Sequence, residues 1–591
     1  MNRLFYITLL ASLFIIQRYS EAQNPEITTE ELNEHIGYLA SEELKGRYPG
    51  TPGDEKAAKY IREQFERAGL HLLGEKGFQN FSLVTGNSVS ESNFIQLGNI
   101  KGKQFKEFTP FPFSGSDTIL DKPVVFAGYG FEIENEELSW NDYKNIDATD
   151  SWVMILRGRP EIEGAQKYFM QQSSDRAKAI KAFDKGACGV IFVAPDKESN
   201  TNNLVNPKIK KGNIEIPVIH LKHSFSNKIL ETSEVTIDEL VSKIKKDKKP
   251  ISFDTEKMLS AQVSIHPKEV TTQNIVAEIN VNSDDYIIVG GHYDHLGEGG
   301  IGSGSRKPDT TATHYGADDN ASGIAAMIEI AEQLSHNKEN LESNIIFIAF
   351  GAEEKGLVGS KYFVMNPLIS LDKVKAMINL DMIGRLNEDE ELQVGGVGTS
   401  MDAEKILDSI NHSYNYQMGY SQEGYGPSDH SSFYGKDIPV FFFSTGPHLD
   451  YHTPADVPEK INYAGITKIS EYIVDLTKHL NQNNTQLTFK KAGAKSEKEE
   501  INKRREMKVT LGIMPDFAGV EDRGLRADLV IEGKPAEKGG MKKGDIITAI
   551  NGNKIRDVYD YMEKLSTLEP GETITVEIIR NEEKRVLLIQ L

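Results

Sequence analysis

Apolar residues recur at helical spacing near the N-terminus, and the segments that follow carry shorter apolar runs. Leu32, Ile36 and Leu39 are three or four positions apart, which predicts a helix that ends before the turn G-R-Y-P-G-T-P-G. A second helix is predicted to open at Asp54, with an apolar face made of Ala57, Ala58, Ile61, Phe65 and Ala68. Residues 78–113 show the short apolar runs that are typical of strands.

From Asn274 onward, apolar strands alternate with amphipathic helices. The predicted strands are Ile287–Val289, Ile345–Phe350, Ala376–Leu380 and Val440–Phe443, and a helix is predicted at Ser322–Leu334. This alternation predicts an α/β fold, with a mostly parallel sheet that is covered by helices on both faces. In such sheets the functional residues gather beyond the carboxyl ends of the strands.

The region between these two parts has a different pattern. Residues 116–265 carry short β-rich runs around one amphipathic helix near Ala177–Lys185, and we find no cluster of candidate metal ligands there. We therefore predict an inserted β-rich domain at residues 116–265. It divides the α/β domain into residues 23–115 and 266–480.

Two more segments complete the domain organisation. Residues 481–506 are polar and highly charged, with many Lys, Glu and Asn, which is typical of a linker. Residues 507–591 alternate short strands with one helix at Val558–Leu565. They are predicted to form a separate compact domain.

The N-terminus predicts export. Asn2 and Arg3 precede the apolar run Leu4–Ile16, and Ser20-Glu21-Ala22 has the small–x–small form of a cleavage site. The run is too short to cross a bilayer, so residues 1–22 are predicted to be a cleaved signal peptide. An uncleaved anchor is the alternative, and no stable membrane span is expected elsewhere.

Charge and cysteine content narrow the class of protein further. The formal net charge is −21, which argues against a nucleic-acid partner because binding to phosphates requires clustered Lys and Arg. Cys188 is the only cysteine, so no intramolecular disulfide can form. This suits a bacterial periplasm or exterior, and its apolar neighbours indicate that Cys188 is a small buried residue.

Side chains that bind metals cluster at the predicted strand ends. His292, Asp294 and His295 follow a buried strand in G-G-H-Y-D-H, and Asp319 lies in G-A-D-D-N-A-S-G just before a helix. Further His and carboxylate residues come later in the chain, at Glu353, Glu354, Asp381 and His452. Zinc binds imidazole nitrogen and carboxylate oxygen, and two zinc ions about 3.5–4 Å apart share a carboxylate and a water.

The charges of these residues are consistent with two zinc ions. With Asp319 as the bridge, His292 and Asp381 complete one site, and Glu354 and His452 complete the other. The charge of two zinc ions is then balanced by the three carboxylates and a bridging hydroxide. Without metal, the carboxylates would repel one another.

Three neighbouring residues are candidates for catalytic roles. Glu353 adjoins a ligand at a strand end and points in a different direction, which suits a general base that passes a proton from water to the leaving amine. Asp294 is placed to hold the second ring nitrogen of His292. Tyr451 precedes His452 and is a candidate donor to the oxyanion of the tetrahedral intermediate.

In this order, the residues resemble those of the aminopeptidases of peptidase family M28, which include secreted enzymes of Aeromonas and Streptomyces. The pattern H-x-D, D-D/N, E-E, D and H appears as His292/Asp294, Asp319, Glu353/Glu354, Asp381 and His452. The resemblance covers Thr28–Phe113 and Asn274–Leu480. It implies a zinc-exopeptidase fold, two zinc ions per chain, and hydrolysis of N-terminal residues from peptides by a metal-bridging water.

The other two domains carry resemblances of their own. The inserted domain is similar to a protease-associated (PA) domain, through V-F-A-G-Y-G at Val125–Gly130 and the run Lys181–Val193. The C-terminal domain resembles a PDZ domain of the bacterial protease type, mainly through Gly540–Gly552. The resemblance implies that Leu511–Ile513 binds the carboxylate of a peptide C-terminus; packing of this loop on its own protease domain is the alternative.

Two alternative functions remain open. Glutaminyl cyclases look similar and use one zinc ion to cyclise an N-terminal glutamine. A peptide-binding scaffold is the other alternative, in which the PA-like and PDZ-like domains accompany an inactive enzyme. The complete set of five ligands favours two metals and hydrolysis over both.

Several nearby residues stay unassigned. His295 and His430 are equally consistent with a role near the site and with a structural role. Asp318 and Asn320 flank the predicted bridge Asp319, and helix capping is their alternative role. The run Gly297–Gly302 fits G-x-G-x-x-G, but no helix is predicted after it. A nucleotide-binding loop is therefore excluded there.

Overall fold

The computed structural model describes residues 26–492 and 509–591, apart from residues 136, 163–164, 166–167, 170–172, 209–213, 301, 483–484, 486, 516–522, 532 and 557. The predicted signal peptide at residues 1–22 lies outside the described residues, and so does most of the predicted linker at residues 481–506. Within the described ranges, no helix combines the length and the apolar composition needed to cross a membrane.

The chain divides into two compact units. The first unit ends at Phe81 and resumes at Thr271, where it continues to the end of the α/β part. The second unit consists of the insert, from Ser82 to Val270, together with the C-terminal domain.

The helices and strands follow in chain order. The N-terminal part contains α1 (Thr29–Leu39), α2 (Pro52–Arg67), β1 (His71–Leu72) and β2 (Phe78–Val89). The insert contains β3 (Phe94–Leu97), β4 (Ile100–Gly102), β5 (Phe108–Pro110), β6 (Asp117–Ala127), β7 (Glu132–Glu134), β8 (Ser139–Asn141), β9 (Trp152–Leu156), α3 (Asp175–Asp184), β10 (Gly189–Val193), β11 (Val218–Leu221), α4 (His223–Leu230), α5 (Ile237–Asp247) and β12 (Ser252–Val263).

The remaining elements complete the α/β part and the C-terminal domain. The α/β part resumes with β13 (Ile265–Ile279), β14 (Tyr286–His292), α6 (Gly323–His336), β15 (Asn344–Phe350), α7 (Val358–Met365), β16 (Val374–Leu380), β17 (Glu391–Gly395), α8 (Ala403–Asn411), β18 (Gln417–Tyr420), α9 (His430–Tyr434), β19 (Val440–Ser444) and α10 (Tyr463–Asn481). The C-terminal domain contains β20 (Ile513–Pro515), β21 (Leu525–Val530), α11 (Pro535–Lys538), β22 (Ile546–Ile550), β23 (Asn553–Lys554), α12 (Val558–Ser566), β24 (Thr573–Arg580) and β25 (Glu583–Gln590).

A mixed sheet forms the centre of the first unit. Its strand order is β1-β13-β15-β14-β16-β19-β17-β18, with β2 paired to β13. The central strands β15, β14, β16 and β19 are parallel, whereas β13 and β17 join them in antiparallel fashion. The carboxyl ends of the four parallel strands therefore lie at one edge, which is where such sheets carry functional residues.

Helices cover this sheet on both faces, as the continuous apolar run along β14 requires. Ile287 and Val289 join the larger core, which includes Ile324 of α6. Ile288 points to the other face and packs in a second core with Phe363 of α7. Because both faces are covered, the whole strand is apolar.

The predicted helix at Asp54 begins two residues earlier. The hydroxyl of Thr51 accepts a hydrogen bond from the Asp54 amide at 3.5 Å, and Pro52 occupies the first turn. Threonine is a favourable N-cap and proline suits the first helical position. The turn residues therefore start the helix themselves.

The insert has its own sheet, with the order β4-β3-β12-β6-β9-β10-β11-β5. We predicted that residues up to 115 belong to the α/β domain, and this boundary needs correction. Strand β3 pairs with β12, and β5 pairs with β11, so their backbone hydrogen bonds are made inside the insert. The resemblance of the insert to a PA domain remains a prediction.

The C-terminal domain is a separate sheet, ordered β20-β21-β22-β24-β25. Within the second unit, a buried ion pair joins it to the insert: Arg176 of α3 lies 2.7 Å from Asp560 of α12. Arg556 also contacts this carboxylate, at 3.2 Å. The helix α12 of the C-terminal domain is thus fixed to the insert.

Candidate metal centre

The five predicted metal ligands come together in two triangles of donor atoms. In the first triangle, Nε2 of His292 lies 3.3 Å from Oδ1 of Asp319 and 3.4 Å from Oδ1 of Asp381. In the second triangle, Nε2 of His452 lies 3.2 Å from both Oδ2 of Asp319 and Oε2 of Glu354. Each oxygen of Asp319 belongs to a different triangle, which is the arrangement of a bridging carboxylate.

The carboxyl ends of the parallel strands supply most of these ligands. His292 is the last residue of β14, Asp381 follows β16 directly, and Glu354 lies in a short turn just after β15. Asp319 lies in a turn that precedes α6, and His452 lies in the segment after β19. Parallel neighbours therefore deliver ligands that are far apart in the sequence to one edge.

The distances fit two zinc ions. Donor atoms that lie about 2.0–2.1 Å from a tetrahedral zinc are about 3.3–3.4 Å from one another, and the observed separations are 3.2–3.4 Å. Oδ2 of Asp319 is buried, and Nε2 of His452, which is the histidine donor of the second triangle, lies 3.2 Å from it. A buried carboxylate oxygen is expected to have a partner, and a cation in the second triangle would contact both atoms.

Main-chain carbonyls orient the two histidines. Nδ1 of His292 donates to the carbonyl oxygen of Asp294 at 3.2 Å, and Nδ1 of His452 donates to that of Gly304 at 3.2 Å. Each contact leaves Nε2 turned toward its triangle and fixes the tautomer that can bind metal. The segment that directly follows the glycine-rich run Gly297–Gly302 therefore holds a ligand.

The carboxylate of Asp294 has a different role from the predicted one. Its nearest oxygen is 3.8 Å from Nδ1 of His292, too far for a hydrogen bond. It accepts instead from the amides of Glu353 and Glu354, at 2.8 Å and 3.4 Å. These two amides begin a short 3-10 turn and lack partners within it, so the buried carboxylate satisfies them and positions the acidic pair.

A second buried carboxylate, Asp456, holds the bridging segment in the same way. Its Oδ2 accepts from the amides of Asp318 and Asp319 at 2.9 Å and 3.1 Å, and its Oδ1 accepts from Arg385 at 3.1 Å. Asp456 ends the run Y-H-T-P-A-D, which also contains His452, but no role was predicted for it. Nothing in that pattern indicates which amides it would reach.

The residues that flank the bridge connect it to β16. Oδ1 of Asp318 accepts from the amide of Gly384 at 2.6 Å, and Oδ2 lies 3.1 Å from Nε2 of His448. Asn320 donates to the carbonyl of Leu380 at 2.9 Å and accepts from the Gly323 amide at 3.1 Å. Asn320 therefore accepts from the first amide of α6, which is the capping role given as its alternative. It also holds the end of β16, the strand that leads to Asp381. The peptide bond between Asp319 and Asn320 is cis.

Two further side chains contact the ligands directly. Nδ1 of His295 lies 2.8 Å from Oε1 of Glu354, the oxygen that is not in the second triangle. Ser428 donates to Oδ2 of Asp381 at 2.7 Å and accepts from Asn379 at 2.7 Å. His295 is therefore part of the centre, which resolves one of the open assignments.

His430 does not contact a ligand in any hydrogen bond that the structure shows; it stacks on Phe442, with ring centroids 4.6 Å apart.

A buried arginine lies beneath the centre. Arg47 donates to the carbonyls of Tyr293, Tyr315 and Gly316 at 2.7, 2.8 and 3.0 Å, and also to that of Leu39. It thereby connects the N-terminal turn to the segments around His292 and Asp319. Burial lowers the pKa of Arg47 to about 10, against the effect of nearby carboxylates such as Asp319.

The pKa directions show how strongly the charges are coupled. Burial acts to lower the pKa of His452, but its hydrogen bonds to Asp319 and Glu354 prevail and raise it to about 10. Burial acts to raise the pKa of Asp319, but the neighbouring His295 and His292 hold it well below its usual range. In the metal-free protein, protons on histidines therefore balance the carboxylates, and a metal has to displace them.

Glu353 and Tyr451 lie beside the triangles. Burial and the nearby charge of Glu354 raise the pKa of Glu353 well above its usual value, against the effect of His292. Tyr451 stacks on His452, with ring centroids 3.8 Å apart. Burial and the charge of Asp319 raise the pKa of Tyr451, so its hydroxyl keeps its proton and remains a donor.

A cavity of about 390 Å³ is lined by segments that adjoin the supports of Asp381. Its wall includes Tyr425, Pro427 and Phe442. Pro427 directly precedes Ser428, which binds Asp381, and Phe442 of β19 is paired with Asn379 of β16. The cavity and the metal ligand Asp381 therefore share two supporting segments.

Comparison with known proteins identifies two domains. Residues 274–477 match peptidase family M28, and residues 510–591 match the PDZ domain. Aminopeptidase YwaD of Bacillus subtilis is 28% identical over 443 residues, which cover 71% of this chain and 78% of that protein. An aminopeptidase of Pseudomonas aeruginosa is 36% identical over 367 residues, which cover 59% of this chain and 56% of that protein.

Other matches are shorter or weaker. Some curated relatives match over only 24% of their own length. Among solved structures, an aminopeptidase from Aneurinibacillus sp. strain AM-1 covers 80% of this chain and 97% of its own, at 22% identity and a TM-score of 0.45. A TM-score this low carries no weight beside the sequence matches.

The matches confirm both the M28 resemblance and the PDZ resemblance, and a match to a zinc metalloprotease family implies zinc. All five ligands and the acidic pair lie within the matched residues 274–477. The chain therefore contains a peptidase family M28 domain at residues 274–477 and a PDZ domain at residues 510–591.

Proposed function

We propose that the protein is a di-zinc aminopeptidase that hydrolyses N-terminal residues from peptides. The observation that carries this proposal is the position of Asp319, whose two oxygens belong to two separate triangles of zinc donors. A single-zinc enzyme such as a glutaminyl cyclase needs only one of these triangles. His292 and Asp381 would hold one ion, and Glu354 and His452 the other.

Bound zinc would act as a Lewis acid on the peptide carbonyl and lower the pKa of water. Glu353, held through its amide by Asp294, takes the proton from the attacking water and passes it to the leaving amine. Tyr451 donates to the oxyanion that develops on the carbonyl. The raised pKa of Glu353 and the protonated hydroxyl of Tyr451 both support these assignments.

The cavity lined by Tyr425 and Phe442 is proposed to hold the side chain of the substrate's N-terminal residue. Tyr425 and Phe442 give it aromatic walls. Burial lowers the pKa of His430 in this wall to about 3, so its ring is neutral. These walls suit an apolar side chain better than a charged one.

Two further assignments concern the rest of the chain. Export to the periplasm or the exterior is supported by the positive start and apolar run within residues 1–22. Binding of a peptide C-terminus by the PDZ domain is supported by β20, an edge strand of its sheet that directly follows Gly512. Edge strands bind peptides by strand addition.

Hydrolysis of a panel of aminoacyl-p-nitroanilides by the mature protein tests the activity. We expect release of p-nitroaniline that a chelator abolishes and zinc restores, together with two zinc ions per chain by elemental analysis. One tightly held zinc and cyclisation of N-terminal glutamine would support a glutaminyl cyclase instead. Absence of bound zinc would support the peptide-binding scaffold.

The base assignment has its own variant. Glu353→Gln is expected to lower kcat by about 10²–10⁴-fold while both zinc ions stay bound, because Glu353 is not a ligand. Glu332→Gln, at a partly exposed position of α6 away from the ligands, is the matched control and should retain wild-type activity. Full activity in Glu353→Gln would refute the assignment.

A further inference from the structure

The segment that follows α10 returns to the α/β part and packs against it. Residues 487–492, called the strap below, include Phe489, which forms an antiparallel bridge with Ser400. The amide of Lys490 donates to the carbonyl of Thr399 at 2.8 Å. The strap therefore starts the polar connection to the PDZ domain as an ordered part of the first unit.

Tyr434 contacts the strap through two hydrogen bonds and one ring contact. Ala492 and the hydroxyl of Tyr434 exchange two hydrogen bonds: the hydroxyl donates to the Ala492 carbonyl at 3.1 Å and accepts from its amide at 3.0 Å. The ring of Phe489 packs on that of Tyr434, with centroids 5.7 Å apart. Tyr434 is only 7% exposed, so the strap helps to bury it.

The same tyrosine supports the wall of the substrate cavity. The ring of Tyr434 meets that of Tyr425 edge to face, at 4.5 Å and 85°, and Tyr425 lines the cavity. A Cβ atom at Gly424 would lie 2.3 Å from the Tyr434 ring, so a glycine is needed for this close approach. The loop that carries Tyr425 thus packs directly against the ring of Tyr434.

The strap also contacts the segment that follows β17, a strand whose residues line the cavity. Gln393, Val394 and Gly395 of β17 line the cavity, and Thr399 follows them. The hydroxyl of Thr399 accepts from the Val440 amide at 3.0 Å, which ties it to β19, the strand that carries Phe442. The strap therefore bonds to two segments that adjoin lining residues of the same cavity.

We propose that the strap is a positioning element of the substrate cavity. It holds Tyr434, Tyr434 holds Tyr425, and the position of Tyr425 sets how strongly the cavity discriminates between N-terminal side chains. Tyr434 and Phe489 are positioning residues, since neither lines the cavity. This inference rests on the proposed function, because it takes the cavity to be the binding site of the N-terminal side chain.

Two variants of the full chain test it. Tyr434→Phe removes both hydrogen bonds to Ala492 but keeps the ring against Tyr425, and Phe489→Ala removes the ring that packs on Tyr434. We expect the ratio of kcat/KM for leucyl- over alanyl-p-nitroanilide to fall by about threefold or more in each, because small displacements of a pocket wall are sufficient for such changes. Tyr414→Phe removes a hydroxyl that binds Asp475 on α10, and this control should leave the ratio unchanged.

Hydrogen–deuterium exchange gives a readout that does not depend on hydrolysis. We expect faster exchange in residues 421–428 for Tyr434→Phe and Phe489→Ala but not for Tyr414→Phe. If exchange rises only in the strap while the substrate ratio stays at the wild-type value, the strap is merely structural and the inference is wrong. If the wild type hydrolyses no substrate, the proposed function fails, and the exchange in residues 421–428 alone decides whether the strap positions the loop.

Discussion

The metal centre and the junction between the insert and the PDZ domain both bury carboxylates, but they balance the charge differently. At the junction, Asp560 is paired with Arg176 at 2.7 Å, and an arginine keeps its charge at all physiological pH values. At the metal centre, Asp319 and Glu354 face histidines at 3.2 Å. A histidine balances them only while it holds a proton, and a metal can replace that proton.

This difference separates a structural charge from a functional one. A buried carboxylate with a permanent partner contributes to the way two domains pack, and breaking the pair leaves a buried charge unpaired. Several carboxylates balanced by exchangeable protons form a site that accepts cations, and such perturbed groups mark functional sites. The comparison predicts that equivalent Asp→Asn changes will affect zinc in one region and folding in the other.

The largest effect is expected from Asp319→Asn. An amide has one oxygen to offer in place of two, so it cannot serve both triangles. We expect zinc content to fall from two ions per chain to at most one, and kcat/KM for the best p-nitroanilide to fall by more than about a thousandfold. Elemental analysis and steady-state kinetics measure both.

The control for this variant is Asp318→Asn. The carboxylate of Asp318 contacts the Gly384 amide and His448 and belongs to neither triangle. Its zinc content should stay at two. Two bound zinc ions and near-normal activity in Asp319→Asn would show that Asp319 is not the bridge. The contrast between the two regions would then lose its basis.

The next effect is on folding. In Asp560→Asn, Arg176 loses its charged partner inside the second unit, and breaking a buried pair in this way costs about 3–5 kcal/mol. Trp140 and Trp152 are the only tryptophans of the chain, and both are buried in the insert. Their fluorescence during denaturant unfolding therefore reports on the second unit, and its midpoint should fall while zinc content and kcat stay unchanged.

Asp247→Asn, on the exposed end of α5, is the matched control and should leave the fluorescence midpoint at the wild-type value. An unchanged midpoint in Asp560→Asn would mean that the ion pair does not hold the PDZ domain on the insert. A loss of zinc in this variant would contradict the separation of the two regions.

The comparison also shows what the sequence could and could not predict. The meeting of the candidate ligands could be predicted because four of the five directly follow an apolar strand or precede a helix, and these local patterns place them at the sheet edge. The partners of Asp294 and Asp456 were not, because backbone amides carry no sequence signature. Their selection depends on how loops from distant segments meet.

The boundary of the insert illustrates the same limit. The strands between residues 78 and 113 were expected from their apolar runs, but a strand pattern does not name the sheet that it joins. β3 pairs with β12, more than a hundred residues later. The predicted boundary at residue 115 was therefore wrong, although the strands themselves were predicted.

A smaller effect is expected from Asp294→Asn, which acts inside the metal centre without touching a triangle. The amide keeps one oxygen acceptor, so one of the two amides of Glu353 and Glu354 loses its partner. Changes to groups that orient ligands typically cost 10–100-fold in metal affinity or activity, and we expect about a hundredfold loss in kcat. Both zinc ions should stay bound at saturating zinc, whereas loss of His292 as a ligand would instead show that Asp294 acts mainly on that histidine.

The smallest effect is expected from His295→Gln, which tests whether His295 orients Glu354 or binds metal itself. Nδ1 lies 2.8 Å from Oε1 of Glu354 and 3.8 Å from Oδ2 of Asp319, so the carboxylate oxygen nearest to it is the one outside the second triangle. Glutamine still offers an amide donor to Glu354, and we expect zinc affinity to fall by about tenfold with the stoichiometry still at two. Calorimetric titration of the metal-free protein measures both quantities. Loss of one zinc ion would make His295 a ligand, and the second site would then have two histidines where the first has one.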